Sequence, residues 1–277
     1  VKLRIGLSPC PNDTFLFHAL LHGLVPTPGV TWEPVMEDVE ALNERLLAGD
    51  LPVSKASFAA FAHARGQYAC ARTGGALGRG NGPLVVARRP MEAFELGPLK
   101  VLLPGEHTTA ALLFRVFHPE VGDTPHVRYD RLLDAVLREE ADAAVIIHEL
   151  RFTYRDRGLH RVEDLGERWE AVTNLPCPLG GIFVRRDVEP DLARSVERWI
   201  GESVAYARAH PEASRDFVRA HAQELADGVT RAHIDTYVNE FSSGYGVQGE
   251  KAIRRLLRLA ETSGVAPTSK KGVFVGE

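Results

Sequence analysis

Gly82-Pro83-Leu84-Val85-Val86-Ala87-Arg88-Arg89 and Gly180-Gly181-Ile182-Phe183-Val184-Arg185-Arg186 share one layout: an entry glycine, an apolar strand and an Arg-Arg exit. Between them lies a segment with strand and helix signals of its own. Read as paired crossover strands, they divide the chain into a large lobe, 1–88 and 178–277, and a small inserted lobe, 89–177, facing each other across a central cleft. Two crossings of this kind permit hinge closure on a ligand. Read as two ordinary strands, they carry no such message, because short apolar strands are compositionally common.

Outward from these segments, short apolar runs alternate with longer amphipathic stretches, the pattern of βα units and an α/β fold. A strand at Lys2–Leu7 leads through Ser8-Pro9-Cys10-Pro11-Asn12-Asp13 to a helix near Thr14–Leu24, with Asn12 or Asp13 as N-cap. A strand near Val30–Met36 precedes a helix with Val39, Leu42 and Leu46 on one face, stopped by Gly49. A strand at Leu51–Ser54 then meets a helix opening at Ser57. The inserted segment repeats the scheme, with strands near Leu99–Leu103, His126–Tyr129 and Ala143–Ile147 and helices near Thr108–Phe117 and Arg131–Glu139. Past residue 188 helices dominate, at Leu192–Ala209, Val229–Phe241 and Glu250–Thr262, and Ser269–Glu277 reads as a loose tail or edge segment.

Composition narrows the function classes. With 44% apolar and 25% charged side chains the 277 residues suit one large core or two modest ones. A net charge of −4 offers no electrostatic footprint for nucleic acid and no polybasic membrane anchor. No apolar run is long enough to span a bilayer, and the opening Lys2-Leu3-Arg4-Ile5-Gly6-Leu7 lacks the pattern of a signal peptide. Three cysteines are too few and too odd in number for a disulfide framework, which fits a reducing compartment, so the expected location is the cytoplasm.

Three constellations can carry chemistry. Gly74-Gly75-Ala76-Leu77-Gly78-Arg79-Gly80-Asn81-Gly82 is a backbone-dominated loop without the ending of a P-loop, and it suits a hinge needing positive φ better than a phosphate site. Lys55-Ala56-Ser57 and Gly105-Glu106-His107-Thr108-Thr109-Ala110 both stand at strand-to-helix junctions. There free N–H groups, hydroxyls and an ammonium can cradle a carboxylate, while plain N-capping by Ser57 and Thr108 is the structural alternative. Open α/β sheets bind ligands beyond the carboxyl ends of their strands, where these junctions lie.

The third is His148, which with Glu149 ends the strand Ala143-Ala144-Val145-Ile146-Ile147. An imidazole with an ordinary pKa of about 6.5 is suited to proton abstraction near neutrality. The structural alternative is a strand-capping histidine paired to Glu149 or Asp142. His18 and His22 at i, i+4 lack the further ligand of a zinc helix and read as surface or packing residues. Cys10 and Cys177, each between prolines and without a CxxC partner, read as rigid turns beside a pocket. Tyr154, Tyr206, Tyr237 and Tyr245 suit either an aromatic ligand or the core.

Taken together, Ser8-Pro9-Cys10-Pro11-Asn12-Asp13-Thr14-Phe15, the glycine run ending Gly82-Pro83-Leu84-Val85, His107-Thr108-Thr109-Ala110, Ile146-Ile147-His148-Glu149 and Arg151-Phe152-Thr153-Tyr154 resemble, in order and spacing, the 1,4-dihydroxy-6-naphthoate synthase family of the futalosine route to menaquinone. The resemblance runs from about residue 3 to at least residue 245. It implies a two-lobed α/β fold of the periplasmic-binding-protein type (class II). It also implies a carbon–carbon lyase that needs no cofactor and no metal, cleaving cyclic dehypoxanthine futalosine to the naphthoate with release of a three-carbon sugar fragment. The family's base falls on His148 and its ligand-binding positions on Lys55, Ala56, Ser57, Thr109 and Ala110. His148 would take a proton beside the ring junction or from a ribose hydroxyl, beginning ring opening and a retro-aldol-type fragmentation. The expected partner is a small molecule bearing a carboxylate, with neither nucleic acid nor membrane, and oligomeric state is left open. Two alternatives share the architecture: the chorismate dehydratase of the same pathway, and an exported solute-binding protein of an ABC transporter.

Overall fold

In the computed structural model, which describes residues 1–222 and 226–277, β1 (Lys2–Leu7) runs parallel to β2 (Thr31–Met36) on one side and β3 (Val53–Ser57) on the other. Parallel neighbours need a crossover, and α1 (Pro11–Leu21) and α2 (Val39–Leu47) supply it. β3 passes without a loop into α3 (Phe58–Ala64), followed by β4 (Tyr68–Cys70) and β5 (Ala76–Gly78). The chain then leaves for a second sheet through β6 (Leu84–Ala87), β7 (Val101–Leu102), α4 (Thr109–Phe117), α5 (Leu132–Leu137), β8 (Ala143–Ile146), the single turn α6 (Leu150–Thr153), β9 (His160–Asp164) and α7 (Leu165–Thr173). It returns in β10 (Cys177–Arg185), which inserts antiparallel between β3 and β4. The sheet orders are β2-β1-β3-β10-β4, with β5 also on β10, and β7-β8-β6-β9. α8 (Pro190–Ala209), α9 (Arg215–His221), α10 (Asp227–Tyr237), α11 (Glu240–Ser243) and α12 (Gly246–Thr262) then cover the larger sheet.

Burial explains the arrangement. Ile5, Phe17, Val53, Ile182, Trp199 and Ile200 fill the layer between the large sheet, α1 and α8. The opposite layer, with Phe61, Phe183 and Leu256 under α3 and α12, continues into the second lobe through Ala110, Phe114, Val145 and Trp169. Leu84, Tyr129, Leu132, Val136 and Ile146 seal the far face of the small sheet.

Several expectations are corrected. The two Arg-Arg segments are not a crossover pair: Leu84–Ala87 is hydrogen-bonded between β8 and β9 inside the small sheet, whereas Ile182–Val184 pairs with β3. The first crossing therefore precedes Leu84 rather than falling at residue 88. It is built by the glycine run, where Gly80 has φ +66° and a Cβ on Gly82 would stand 2.3 Å from the Cα of Gly166. Arg151 locks the crossing by donating to the carbonyls of Gly80 and Gly82 and to Asp164. α1 begins at Pro11, whose fixed φ suits the first helical position, so Cys10 is the N-cap and neither Asn12 nor Asp13 caps. His126–Tyr129 yields one isolated bridge, Leu103 to His126, and His160–Asp164 forms the strand the sequence left unmarked. Ser269–Glu277 ends as an edge segment: Phe274 is fully buried and bridges Cys70.

Candidate active site

A cavity opens between the two sheets, at the carboxyl ends of β1, β3 and β8, enclosing about 680 Å³ with its mouth included. Ser8, Asn12, Lys55, Ala56 and Ser57 line it from the large lobe, and Thr108, Thr109, Ala110, Ile147 and His148 from the small one. The crossings contribute Asn81–Pro83 and Leu179–Gly180, and Tyr237 of α10 completes the wall. All six residues singled out from the sequence, Lys55, Ala56, Ser57, Thr109, Ala110 and His148, thus meet at one site.

His148 stands one residue past Ile147 at the end of β8, with φ +56°, a left-handed conformation uncommon for a non-glycine residue, although histidine is among those enriched in it. The residue is half-buried, but its Nε2 is fully buried and has no hydrogen-bond partner among the described residues. Its Nδ1 lies 3.6 Å from Sγ of Cys10, across the cleft. Burial pushes the imidazole down to about 4, with Lys55 acting in the same direction and Asp13 and Asp38 opposing it. The ring is therefore neutral at pH 7. In the tautomer carrying its proton on Nδ1, directed at the sulfur, Nε2 presents a lone pair. The Cys10 thiol is itself pushed up by burial and stays protonated. The structural alternative is absent: the ring pairs with neither Glu149 nor Asp142. Asp142 accepts instead from the N–H of Lys100.

Lys55 is not a free ammonium waiting for a ligand. It lies against the fully buried carboxylate of Asp13, which also accepts from the Ser8 hydroxyl at 2.7 Å, the Ser8 N–H at 3.2 Å and Asn12 Nδ2 at 2.9 Å. A buried carboxylate needs such a set of donors to remain charged. Ser57 sits at the N-cap of α3 but makes no side-chain cap bond; Asn43 holds it, donating to its hydroxyl at 3.2 Å and accepting from its N–H at 2.8 Å. Thr108 does cap α4, accepting from Ala111 N–H at 3.1 Å. Thr109 faces the other lobe: its hydroxyl donates to the Leu179 carbonyl at 2.7 Å and accepts from Ala59 N–H at 3.3 Å. Glu40 of α2 accepts from His107 N–H at 2.9 Å, a second tie between the lobes. Thr109 and Ala110 line the cavity from the first turn of α4, where helix geometry supplies no acceptor for their N–H groups.

Other members were not legible in advance. Asp13 was expected to cap a helix and instead balances Lys55. His233 is fully buried in α10, its Nε2 3.0 Å from Asn12 Oδ1 and its ring parallel to that of His148, 9° apart in plane with centroids 6.0 Å apart. The one signal for it is the pair His233 and Tyr237 at i, i+4, whose rings pack 4.7 Å apart. His18 and His22 stack on each other and pack tilted and edge-on against Phe217, outside the lining of the cavity, as packing residues. Cys177 lies buried in β10, and Cys10, Cys70 and Cys177 are all free thiols. Among the described residues no cluster of His, Cys, Asp and Glu is arranged to hold a metal ion, and no helix is long and apolar enough to cross a membrane.

A family model described as "Menaquinone biosynthesis" matches residues 3–262. The chain belongs to this menaquinone-biosynthesis family. Within it, the chain is 53% identical over 274 residues to a 1,4-dihydroxy-6-naphtoate synthase of Thermus thermophilus, with 99% of each chain covered. It is 42% identical over 272 residues to a synthase of the same name from Streptomyces coelicolor, with 96% of this chain and 95% of that one covered. A solved protein of Archaeoglobus fulgidus superposes with a TM-score of 0.89 at 32% identity, covering 95% of this chain and 98% of that one. The alkanesulfonate-binding protein SsuA of Xanthomonas axonopodis pv. citri superposes with a TM-score of 0.73 at 13% identity, covering 96% and 94%. At that identity the likeness shows the fold alone, the two-lobed periplasmic-binding-protein architecture expected from the motifs. Family membership implies a small-molecule substrate.

Proposed function

We propose that this member of the menaquinone-biosynthesis family is a 1,4-dihydroxy-6-naphthoate synthase, a lyase that converts cyclic dehypoxanthine futalosine to 1,4-dihydroxy-6-naphthoate without a cofactor. The observation that carries the reading is the 53% identity, over nearly the full length of both chains, to a synthase of that name. The site chemistry supports it. His148, neutral at pH 7 and with no partner on Nε2 among the described residues, takes a proton from the substrate, beside the ring junction or from a ribose hydroxyl. The electron pair released opens the ring and drives a retro-aldol-type cleavage whose product gains an aromatic naphthol.

The substrate carboxylate is held by the N–H groups of Thr109 and Ala110, by the positive end of α4 and by the Ser57 hydroxyl. Lys55 contributes a positive centre already partnered by Asp13, so it orients an anion without being consumed by it. Three buried free thiols fit work in a reducing compartment, the cytoplasm.

Incubation of the purified protein with cyclic dehypoxanthine futalosine, and separately with chorismate, tests the assignment. Formation of the naphthoate by mass and absorbance from the first substrate alone is the expected result. Turnover of chorismate, or binding of either compound unchanged, would refute it.

A further inference from the structure

The His148 ring has no hydrogen-bonding partner in its own lobe. Among the described residues its Nε2 is unpartnered and its Nδ1 meets only Cys10 Sγ at 3.6 Å, and Cys10 belongs to the large lobe as the N-cap of α1. Its own lobe supplies one aromatic edge, Tyr129, with centroids 5.0 Å apart. The remaining support crosses the cleft: His233 of α10 lies parallel to the ring and is fixed by Asn12, which donates to Asp13, which is locked by Ser8 and Lys55. A left-handed residue at the end of a strand, with no local bond to its ring, does not by itself select one rotamer.

We propose that Cys10 and His233 are positioning residues that set the orientation of the His148 ring from the opposite lobe, so that the base is assembled only when the cleft is closed. This rests on the reading of His148 as the base. It gives closure a chemical task beyond enclosing the substrate: in an open form the imidazole loses both its sulfur partner and its stacking neighbour, swings, and meets water. Thr109 to Leu179 and Ala59, and Glu40 to His107, are the bonds that hold the lobes together in the form that places Cys10 and His233 against the ring. In the resting closed form the base is already assembled, and every opening of the cleft takes it apart, so the ring is poised for proton abstraction only while the lobes are together.

The test compares steady-state turnover of cyclic dehypoxanthine futalosine by the wild-type chain, Cys10→Ala, His233→Gln, His148→Asn, and each of the first two combined with His148→Asn. Loss of tenfold or more in kcat is expected for Cys10→Ala and His233→Gln, at the scale of about an ångström of misplacement, with KM held within about twofold. The charged and titratable groups around the ring are Cys10, Asp13, Asp38, Lys55, Tyr129, Glu149 and His233. With one of the clamping pair removed, water reaches the imidazole and the acid limb of kcat/KM moves up from about 4 toward the ordinary 6.5. In the His148→Asn background neither second substitution slows the enzyme further, because both act through the ring that has been removed.

Wild-type kcat and an unmoved acid limb in Cys10→Ala and His233→Gln, alongside an impaired His148→Asn, would overturn the positioning role while leaving the base assignment intact. The same loss repeated in the His148→Asn background would overturn it too, since the residues would then act elsewhere. Full activity of His148→Asn would remove the base and this inference with it. Circular dichroism confirms folding, and Cys10→Ser or His233→Asn carries the same expectations where the first variant does not fold.

Discussion

His118 and His148 belong to the same lobe, and the protein uses them in opposite ways. His118, at the end of α4, is buried with both ring nitrogens on carboxylates: Nε2 is 2.5 Å from Glu163 and Nδ1 is 3.1 Å from Glu120. Burial acts against its charge, yet the bonds to Glu163 and then Glu120 hold its pKa above the ordinary value. At His148 no carboxylate among the described residues bonds the ring, and burial wins, taking it down to about 4. A histidine with acceptors on both nitrogens is committed to its proton and serves as structure. One with a bare nitrogen in a cleft is poised to take a proton and serves as a base. Burial alone does not tell them apart; the partners do.

The largest effect that separates the two is on turnover. His148→Asn keeps a residue that tolerates left-handed backbone while removing the base, and kcat is expected to fall about 10²–10⁴-fold with the melting temperature nearly unchanged. Turnover assays beside a thermal melt check both halves. Undiminished kcat would break the comparison at its catalytic end.

Next in size is Lys55→Met. It strands the buried Asp13 carboxylate with only Ser8 and Asn12 as donors, and breaking a buried pair from one side costs about 3–5 kcal/mol, the lower end being expected here because three hydrogen bonds remain. Urea unfolding of the variant measures it, and a loss under about 1 kcal/mol, the value of an exposed pair, would mean that Asp13 finds water. This prediction sharpens the contrast from the other lobe, where ionic structure stands directly beside the base rather than behind it.

The sequence made much of this site legible, for local reasons. A strand ending in His-Glu and two strand-to-helix junctions are patterns within a few residues, and the parallel-sheet rule places such junctions on one edge, which is why His148, Ser57 and Thr109 meet at one cavity. What was not legible depends on pairings distant along the chain. Asp13 and Lys55, Asn12 and His233, and Cys10 and His148 are joined only by the fold, so Asp13 read as a cap and His233 went unnoticed. The misread crossing has the same origin. Leu84–Ala87 and Ile182–Arg185 are both buried apolar strands of like composition, and nothing in such a run says which sheet will accept its hydrogen bonds.

His118→Gln probes the structural end of the comparison. It removes a charged hydrogen-bonded ring while Arg168 still reaches Glu163 at 3.0 Å, so a loss of about 1–3 kcal/mol in unfolding free energy is expected, with kcat unchanged. A fall in kcat matching that of His148→Asn would show that the two histidines are coupled.

The smallest effect, and the one that reads the two rings against each other directly, is pH dependence. For His118 the folded pKa lies above the ordinary 6.5, so the stability it contributes is complete below 6.5 and is lost as pH rises through the folded value. The wild-type advantage over His118→Gln should therefore be greatest at acid pH and shrink on the alkaline side. For His148 the folded value lies below 6.5, so its neutral ring favours the folded state fully above 6.5 and loses that contribution as pH falls toward 4. Its turnover signature follows: kcat/KM should stay level through neutrality and bend downward only near pH 4, because the free enzyme must keep Nε2 unprotonated. Paired measurements of kcat/KM and of unfolding free energy across this range place both curves on one axis. An acid limb at 6.5 would mean that the cleft is wet and the imidazole solvated when the substrate arrives. The closed arrangement would then form only after binding, and the bare nitrogen would owe its reactivity to the substrate's arrival instead of to the resting fold.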